Sequence, residues 1–112
     1  VKLCELAYER LEEGAYIILE TPNPMSLAIF THAFYMDPSH NKPIHPLTME
    51  YFMRKVGFKE VEILFTTSSK YPVEIPALIS DNIDNLDAFN QSMEEVSRIL
   101  FGSQDYAIIG RR

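Results

Sequence analysis

Cysteine is scarce in this sequence, and long apolar runs are missing. The single cysteine, Cys4, excludes an internal disulfide and a zinc site built from several thiolates. No apolar stretch approaches the roughly 20 residues that a helix needs to cross a bilayer, so no membrane span is expected. Val1 opens directly into a charged amphipathic segment, without the apolar core of a signal peptide. Together these absences predict a cytoplasmic location.

Basic residues are also few. Ten Lys and Arg stand against 16 Asp and Glu, which gives a formal net charge of −6. A nucleic-acid partner is therefore not expected, because binding to a phosphate backbone ordinarily requires a concentrated basic face. Hydrophobic residues make up 46% of the 112 positions and charged residues 23%. This balance is typical of a folded protein, and the length predicts one domain over residues 1–112.

Glycine is rare too, and no glycine-rich turn joins a predicted strand to a helix. Only four glycines occur in the chain. In α/β enzymes such a turn holds a nucleotide-like cofactor. The chain is therefore predicted to carry part of a site, but not the whole of a reaction.

Helical and strand patterns alternate along the chain. Apolar residues at helical spacing predict a helix over 1–13 that Gly14 ends. Residues 15–19 are continuously apolar, which predicts a strand covered on both faces, as in a parallel sheet. Further helices are predicted over 46–56 and 86–100, and further strands over 58–65 and 106–109. The middle strand–helix–strand unit predicts two parallel strands and so an α/β fold.

Two long segments interrupt these elements. Residues 22–46 contain five prolines and no sustained period, and a short helix capped by Ser26 is predicted within them. Residues 66–84 are irregular as well. Loops of this length in a compact domain are usually functional when they are ordered. Both follow predicted strands, so we expect them to leave the same edge of the sheet and to cover a ligand there.

Three stretches of the chain resemble a known family. They are Gly14–Pro24, His45–Phe65 and Asp105–Arg111. Their order is similar to that in the C-terminal half of a class I S-adenosylmethionine-dependent methyltransferase. The motifs that carry the resemblance are Glu-Thr-Pro-Asn-Pro at 20–24, Asp-Pro-Ser-His at 37–40 and His-Pro-Leu-Thr at 45–48. The loop around the second motif looks like a subgroup associated with sugar or polysaccharide modification.

The resemblance implies a partial Rossmann-like methyltransferase fold, with a three-stranded mixed sheet and flanking helices. Two strands would be parallel, and the C-terminal strand would be inserted antiparallel between them. The cofactor-binding N-terminal half of the domain would be absent. S-adenosylmethionine would be the cofactor of the full-length enzyme, and a small molecule or a saccharide would be the methyl acceptor.

The long loop supplies candidates for the chemistry of that reaction. Methyl transfer to a hydroxyl or amine often needs a base, and histidine titrates near neutral pH, so His40 and His45 are the candidate catalytic residues. Tyr35 and Asp37 are candidate acceptor-binding residues. The end of the first predicted strand adds two more candidates, Asn23 for the acceptor and Glu20 for the cofactor.

Most of these candidates also have a structural interpretation. His45 precedes a proline at a first helical position, so it also fits a helix N-cap. Asp37 and His40 fit ordinary turn chemistry. Tyr35 fits local packing against neighbouring phenylalanines, and Glu20 fits capping of a strand end.

Two functions of different class are compatible with this sequence. One is the acceptor-side half of a methyltransferase, inactive alone. The alternative is a stand-alone binding or oligomerisation module derived from that fold, because an exposed apolar edge strand over 15–20 would self-associate or pair with the missing half. A third interpretation is a complete small α/β protein that only has a pattern similar to that of a methyltransferase. No metal is expected, because His32, His40, His45 and Asp37 match no firm ligand spacing.

Overall fold

The computed structural model describes residues 1–32, 34–66 and 75–112. Within these ranges the elements are α1 (Lys2–Arg10), β1 (Tyr16–Pro22), α2 (Ala28–His32), a 3-10 turn (Phe34–Met36), α3 (Pro46–Val56), β2 (Lys59–Phe65), α4 (Leu86–Phe101) and β3 (Asp105–Arg111). Each predicted helix and strand is confirmed, although the bounds differ. The predicted irregular segment after β2 includes residues 67–74, which lie outside the described residues.

Local sequence signals set both ends of α3. Pro46 occupies its first turn, where a missing N–H costs nothing, and the His45 side chain accepts a hydrogen bond from the N–H of Leu47. Gly57 ends the helix with a φ of 123°, a conformation that L side chains rarely adopt. A Cβ at this glycine would also lie 3.0 Å from the ring of Tyr8. The predicted start and end of α3 are therefore confirmed.

The sheet has the strand order β1-β3-β2. β3 pairs antiparallel with both neighbours, so that Ile109 lies opposite Ile18 on one side and Glu62 on the other. The central, antiparallel position of the C-terminal strand is confirmed. The prediction of a mixed sheet with a parallel pair is wrong for the described strands. β1 and β2 do run in the same direction, but β3 separates them and each hydrogen-bonded pair is antiparallel.

The core lies on one face of the sheet, beneath α1 and α3. Met53, Tyr106 and Ile108 are fully buried. Around them pack Cys4 from α1, Met49 from α3, and Phe58 and Val61 at the start of β2. Helix α3 reaches this core because its apolar stripe follows the helical period.

The opposite face of the sheet is open. Tyr16 and Ile18 of β1 are both exposed, and burial alternates along the strand. The prediction that β1 is covered on both faces is wrong, because α1 and α3 pack on the same face. The claim that Tyr16 to Leu19 lie inside a parallel sheet fails with it. A continuous apolar run therefore leaves half of its side chains in contact with solvent.

Candidate functional site

β1 and β2 end at the same edge of the sheet, where β3 begins. The N–H of Asn23 donates to the carbonyl of Gln104 at 2.7 Å, and the N–H of Thr66 donates to the carbonyl of Asp105 at 3.2 Å. The prediction that the two long segments leave from one edge is thus confirmed. A cavity of about 260 Å³ lies at this edge, lined by Asn23, Met25, Ser26, Phe65, Arg98, Gly102 and Ser103.

Asn23 is buried at this edge, with only 4% of its surface exposed. Its side-chain amide donates to the carbonyl of Ser103 at 2.8 Å, and its Oδ1 accepts from the N–H of Met25 at 3.1 Å. The side chain therefore ties the end of β1 to the turn before β3. Acceptor binding by Asn23 stays a prediction.

Ser26 and Gln104 extend this polar cluster. The Ser26 hydroxyl donates to the carbonyl of Leu100 at 3.3 Å and accepts from Nε2 of Gln104 at 2.9 Å. The prediction that Ser26 caps the short helix is wrong, because α2 begins at Ala28 and the hydroxyl is directed to α4 instead. Sequence reasoning missed Gln104. Gln104 lies between Gly102 and the apolar strand, and this position indicates a polar turn.

The loop after α2 brings three predicted site residues together: Tyr35, Asp37 and His40. Phe34 is buried beneath them, with the His40 ring stacked on it at 5.0 Å and the Tyr35 ring edge-on at 5.1 Å. The packing interpretation of Tyr35 is confirmed. Even so, 69% of its surface is exposed, so a face of the ring is open to a ligand.

Asp37 organises the turn that carries His40. Its Oδ1 accepts from the N–H of Ser39 at 2.8 Å, and its carbonyl accepts from the N–H of His40 at 3.0 Å. The turn interpretation is confirmed. The hydrogen bonds from Ser39 hold the pKa of the Asp37 carboxyl below its ordinary value, and nearby His40 adds to this effect. The carboxylate is therefore charged at neutral pH and exposed to solvent.

The contacts of His40 define its tautomer. Nδ1 lies 3.0 Å from the carbonyl oxygen of Phe34, and a carbonyl can only accept, so Nδ1 carries the proton of the neutral ring. Nε2 then carries the lone pair. It lies 3.9 Å from Oδ2 of Asp37. A neutral imidazole in this state can accept a proton at Nε2.

The contacts of His45 define the other tautomer. Its Nδ1 accepts from the N–H of Leu47 at 3.3 Å, which confirms the interpretation as the N-cap of α3. The proton of the neutral ring is then on Nε2. His45 can therefore donate a hydrogen bond from Nε2, but it cannot accept a proton there while the cap is intact.

Glu20 lies within β1 rather than at its end, because the strand continues to Pro22. It is opposite Ala107 on the open face of the sheet and is exposed.

No metal-binding group of three or more His, Cys, Asp or Glu occurs among the described residues. In the same part of the chain, no helix is both long and apolar enough to span a membrane.

The four glycines show whether this chain can hold a nucleotide-like cofactor by itself. Gly14, Gly57 and Gly102 each precede a strand, and Gly110 lies within β3. None joins the end of a strand to the start of a helix, which is where such a cofactor is held. That the cofactor site lies mainly outside this chain stays a prediction.

One solved structure is similar to the chain over nearly its whole length. It is the crystal structure of a SAM dependent methyltransferase from Archaeoglobus fulgidus, with 35% sequence identity and a TM-score of 0.84. The match covers 99% of this chain and 51% of that chain, so this chain spans about half the length of the solved structure. No family model and no curated protein matches the chain. The α/β fold is thus similar to one part of a SAM-dependent methyltransferase.

Proposed function

We propose that this chain is the acceptor-side half of an S-adenosylmethionine-dependent methyltransferase and that it is inactive alone. The observation that carries the proposal is the 35% identity to such an enzyme over 99% of this chain but only 51% of that one. The central antiparallel β3 supports it as well, because the resemblance in sequence implied this strand order. In this proposal the cofactor site belongs mainly to the other half of the enzyme, and Glu20 is the residue that this chain contributes to it.

The exposed loop around His40 is the proposed acceptor site. His40 is the proposed proton acceptor, because its contact with the Phe34 carbonyl leaves a lone pair on Nε2. His45 takes part as a hydrogen-bond donor through its Nε2–H. Tyr35 and Asp37 offer an open aromatic face and a charged carboxylate beside His40.

A saccharide is the acceptor that these groups favour, since sugar rings stack on aromatic faces and sugar hydroxyls donate to carboxylates. A small hydroxylated molecule has the same chemistry. Asn23 would join acceptor binding only if its side chain exchanged one of its present hydrogen bonds for a contact with the ligand.

The roles of the two histidines are tested in the full-length enzyme. We expect His40→Gln to lower kcat about 100-fold or more, because a general base typically contributes 10²-fold to 10⁴-fold. The comparison is His45→Asn, which keeps a side-chain oxygen for the cap but loses the Nε2–H donor, so kcat should fall by much less than in His40→Gln. If the His40→Gln enzyme keeps the kcat and pH profile of the parent, His40 is not the base.

A binding or oligomerisation module is the second candidate function, and the position of β1 favours it. β1 pairs with β3 on one side only, and its other edge has no strand partner among the described residues. An unpaired apolar edge favours pairing with another strand, either from a second copy or from the missing half. Ile18→Lys adds a charge to this edge and should abolish association that depends on it. Sedimentation of the parent chain and the variant measures that loss.

A further inference from the structure

The cavity where β1 and β2 end, which we call the sheet-edge cavity, has a fixed polar part. Asn23 and Ser26 both line it, and they are 4% and 1% exposed. Their side chains hydrogen-bond to the chain itself, Asn23 to Ser103 and Ser26 to Leu100 and Gln104. Buried polar groups with satisfied hydrogen bonds are rigid. This part of the lining therefore gives the cavity a constant shape.

The exposed part of the lining combines apolar surface with one charge. Met25 and Phe65 are each 46% exposed. Of the described residues that line the cavity, Arg98 alone is charged. The volume of about 260 Å³ lies just below the range of roughly 300–1,000 Å³ for ligand pockets. A single ring with a short substituent is therefore the size of ligand that fits.

Arg98 has hydrogen-bond donors to spare. Its Nε and Nη2 donate to the Glu95 carboxylate, which uses two of the five N–H donors of a guanidinium. Both N–H groups of Nη1 and one of Nη2 remain. The two side chains are 63% and 57% exposed, and an ion pair in water contributes little. An anion can therefore bind the remaining donors or replace Glu95, and the planar fork of arginine matches carboxylate and phosphate alike.

The sheet-edge cavity adjoins the loop of the proposed acceptor site on the side of β2. Phe65 lies opposite Tyr106 in the register, so both side chains are on the same face of the sheet, with ring centroids 6.5 Å apart. The Tyr106 hydroxyl donates to the carbonyl of Ile44 at 2.8 Å. Ile44 directly precedes His45. The lining of the cavity is thus two contacts away from one candidate histidine.

A second route joins the cavity to the other histidine. Helix α2 begins two residues after Ser26, and its Phe30 packs on Phe34 with ring centroids 5.7 Å apart. The ring of His40 stacks on the same Phe34. The cavity and the loop are therefore two neighbouring parts of one surface, next to the carboxyl ends of β1 and β2, where open α/β sheets bind ligands.

We propose that the methyl acceptor is an acidic sugar whose carboxylate or phosphate binds Arg98 and whose ring lies against Phe65 and Met25. This inference rests on the proposed methyltransferase function and identifies the chemical class of its acceptor. The charges at the two ends of the surface favour one orientation. The anion of the sugar is attracted to Arg98, while its hydroxyls can donate to the Asp37 carboxylate in the loop.

The overall charge of the chain makes the role of Arg98 measurable. A formal net charge of −6 repels free anions, so anion binding at the sheet-edge cavity depends on a local cation. A neutral sugar of the same size has no such requirement. Comparison of acidic and neutral sugars therefore isolates the contribution of the guanidinium.

The test is a titration of the ¹⁵N-labelled 112-residue chain with glucuronate, glucose 6-phosphate and glucose, followed by nuclear magnetic resonance. We expect at least one acidic sugar to bind with a dissociation constant about 10-fold lower than that of glucose, as for a hydrogen bond to a charged group. The backbone amides of Met25, Phe65 and Ser103 should shift. The acidic sugar that binds more tightly identifies the anion as carboxylate or phosphate.

Two variants with opposite expected effects locate the anion. Arg98→Gln should raise the dissociation constant of the acidic sugar about 10-fold. Glu95→Gln should lower it, because the change frees two donors and removes a like charge. The matched control is Arg54→Gln on α3, which removes an exposed arginine that is likewise paired with a glutamate, Glu50, and should have no effect. All three substituted side chains are more than half exposed, so circular dichroism should show folded variants.

Three results would overturn the inference. They are equal or absent binding of all three sugars, equal weakening by Arg98→Gln and Arg54→Gln, and shifts confined to the loop around His40. The titration contains no cofactor and requires no methyl transfer. A failed methylation assay would therefore refute the proposed function and leave the anion site in place, whereas these three results would refute the anion site alone.

Discussion

Helices α3 and α4 are alike in sequence pattern and opposite in environment. Each has an apolar stripe at helical spacing and a glycine directly after its last residue. Yet α3 buries Pro46, Met49 and Met53, while α4 buries nothing along sixteen residues. The comparison shows that the helical period specifies which side chains share a face, but not whether another element covers that face.

The contacts of the two helices differ along their length. α3 packs on the sheet, with Met49 and Met53 in the core. α4 contacts the sheet edge near its C-terminal end, where the carbonyl of Leu100 accepts from the Ser26 hydroxyl.

The largest expected effect is on the free energy of unfolding, and it is measured by comparing two methionines, one in each helix. Met53→Ala in α3 should lower the free energy of unfolding by about 2–5 kcal/mol, because it leaves a cavity in a fully buried site. Met93→Ala at a half-buried site in α4 should cost less than about 1 kcal/mol. Urea unfolding monitored by circular dichroism measures both. Equal costs would mean that the two helices are packed alike.

The second effect concerns the packed face of the sheet, where Tyr106 is fully buried. Burial raises the pKa of Tyr106 to about 12 in the folded chain, against an ordinary value of about 10. Its contribution to stability is therefore complete below pH 10 and is lost as the pH rises through 12, by roughly 2–3 kcal/mol.

Unfolding at pH 9 and pH 11.5 tests this linkage. Tyr106→Phe should reduce the loss of stability between the two values. The phenylalanine at 106 also removes the hydrogen bond of 2.8 Å to the Ile44 carbonyl, at a cost of about 1 kcal/mol at both pH values. Identical pH dependence in the parent chain and Tyr106→Phe would contradict the assignment.

The smallest effect concerns the caps of the two helices. His45 caps α3 with its side chain, whereas the N-cap of α4, Asn85, makes no such hydrogen bond. His45→Ala should cost about 1 kcal/mol, and His45→Asn should restore most of it. Thermal unfolding of the three chains measures the difference. A His45→Ala chain as stable as the parent would show that the cap hydrogen bond has no energetic role.

Local features of the fold could be predicted from sequence, and long-range ones could not. Pro46 and Gly57 fixed the bounds of α3, because each acts through its own backbone. The continuous apolar run predicted a covered face for Ile18, which is exposed. Such a run does not show whether another element packs on the strand. The strand–helix–strand order predicted that β1 and β2 are parallel, but it does not show which strands share hydrogen bonds, and the central place of β3 was expected only from the resemblance.

The candidate site shows the same division. The turn at Asp37 and the cap at His45 were both among the interpretations of the sequence, since they depend on residues two positions away. The tautomers of the histidines could not be predicted from the sequence. That of His40 depends on the carbonyl of Phe34, which only the folded loop brings to Nδ1.

Calorimetric titration with S-adenosylmethionine tests the central claim, that half of the binding machinery lies elsewhere. The 112-residue chain should release no heat of binding, and the chain combined with the other half of the proposed enzyme should bind with one-to-one stoichiometry. Stoichiometric binding by the 112 residues alone would contradict the account.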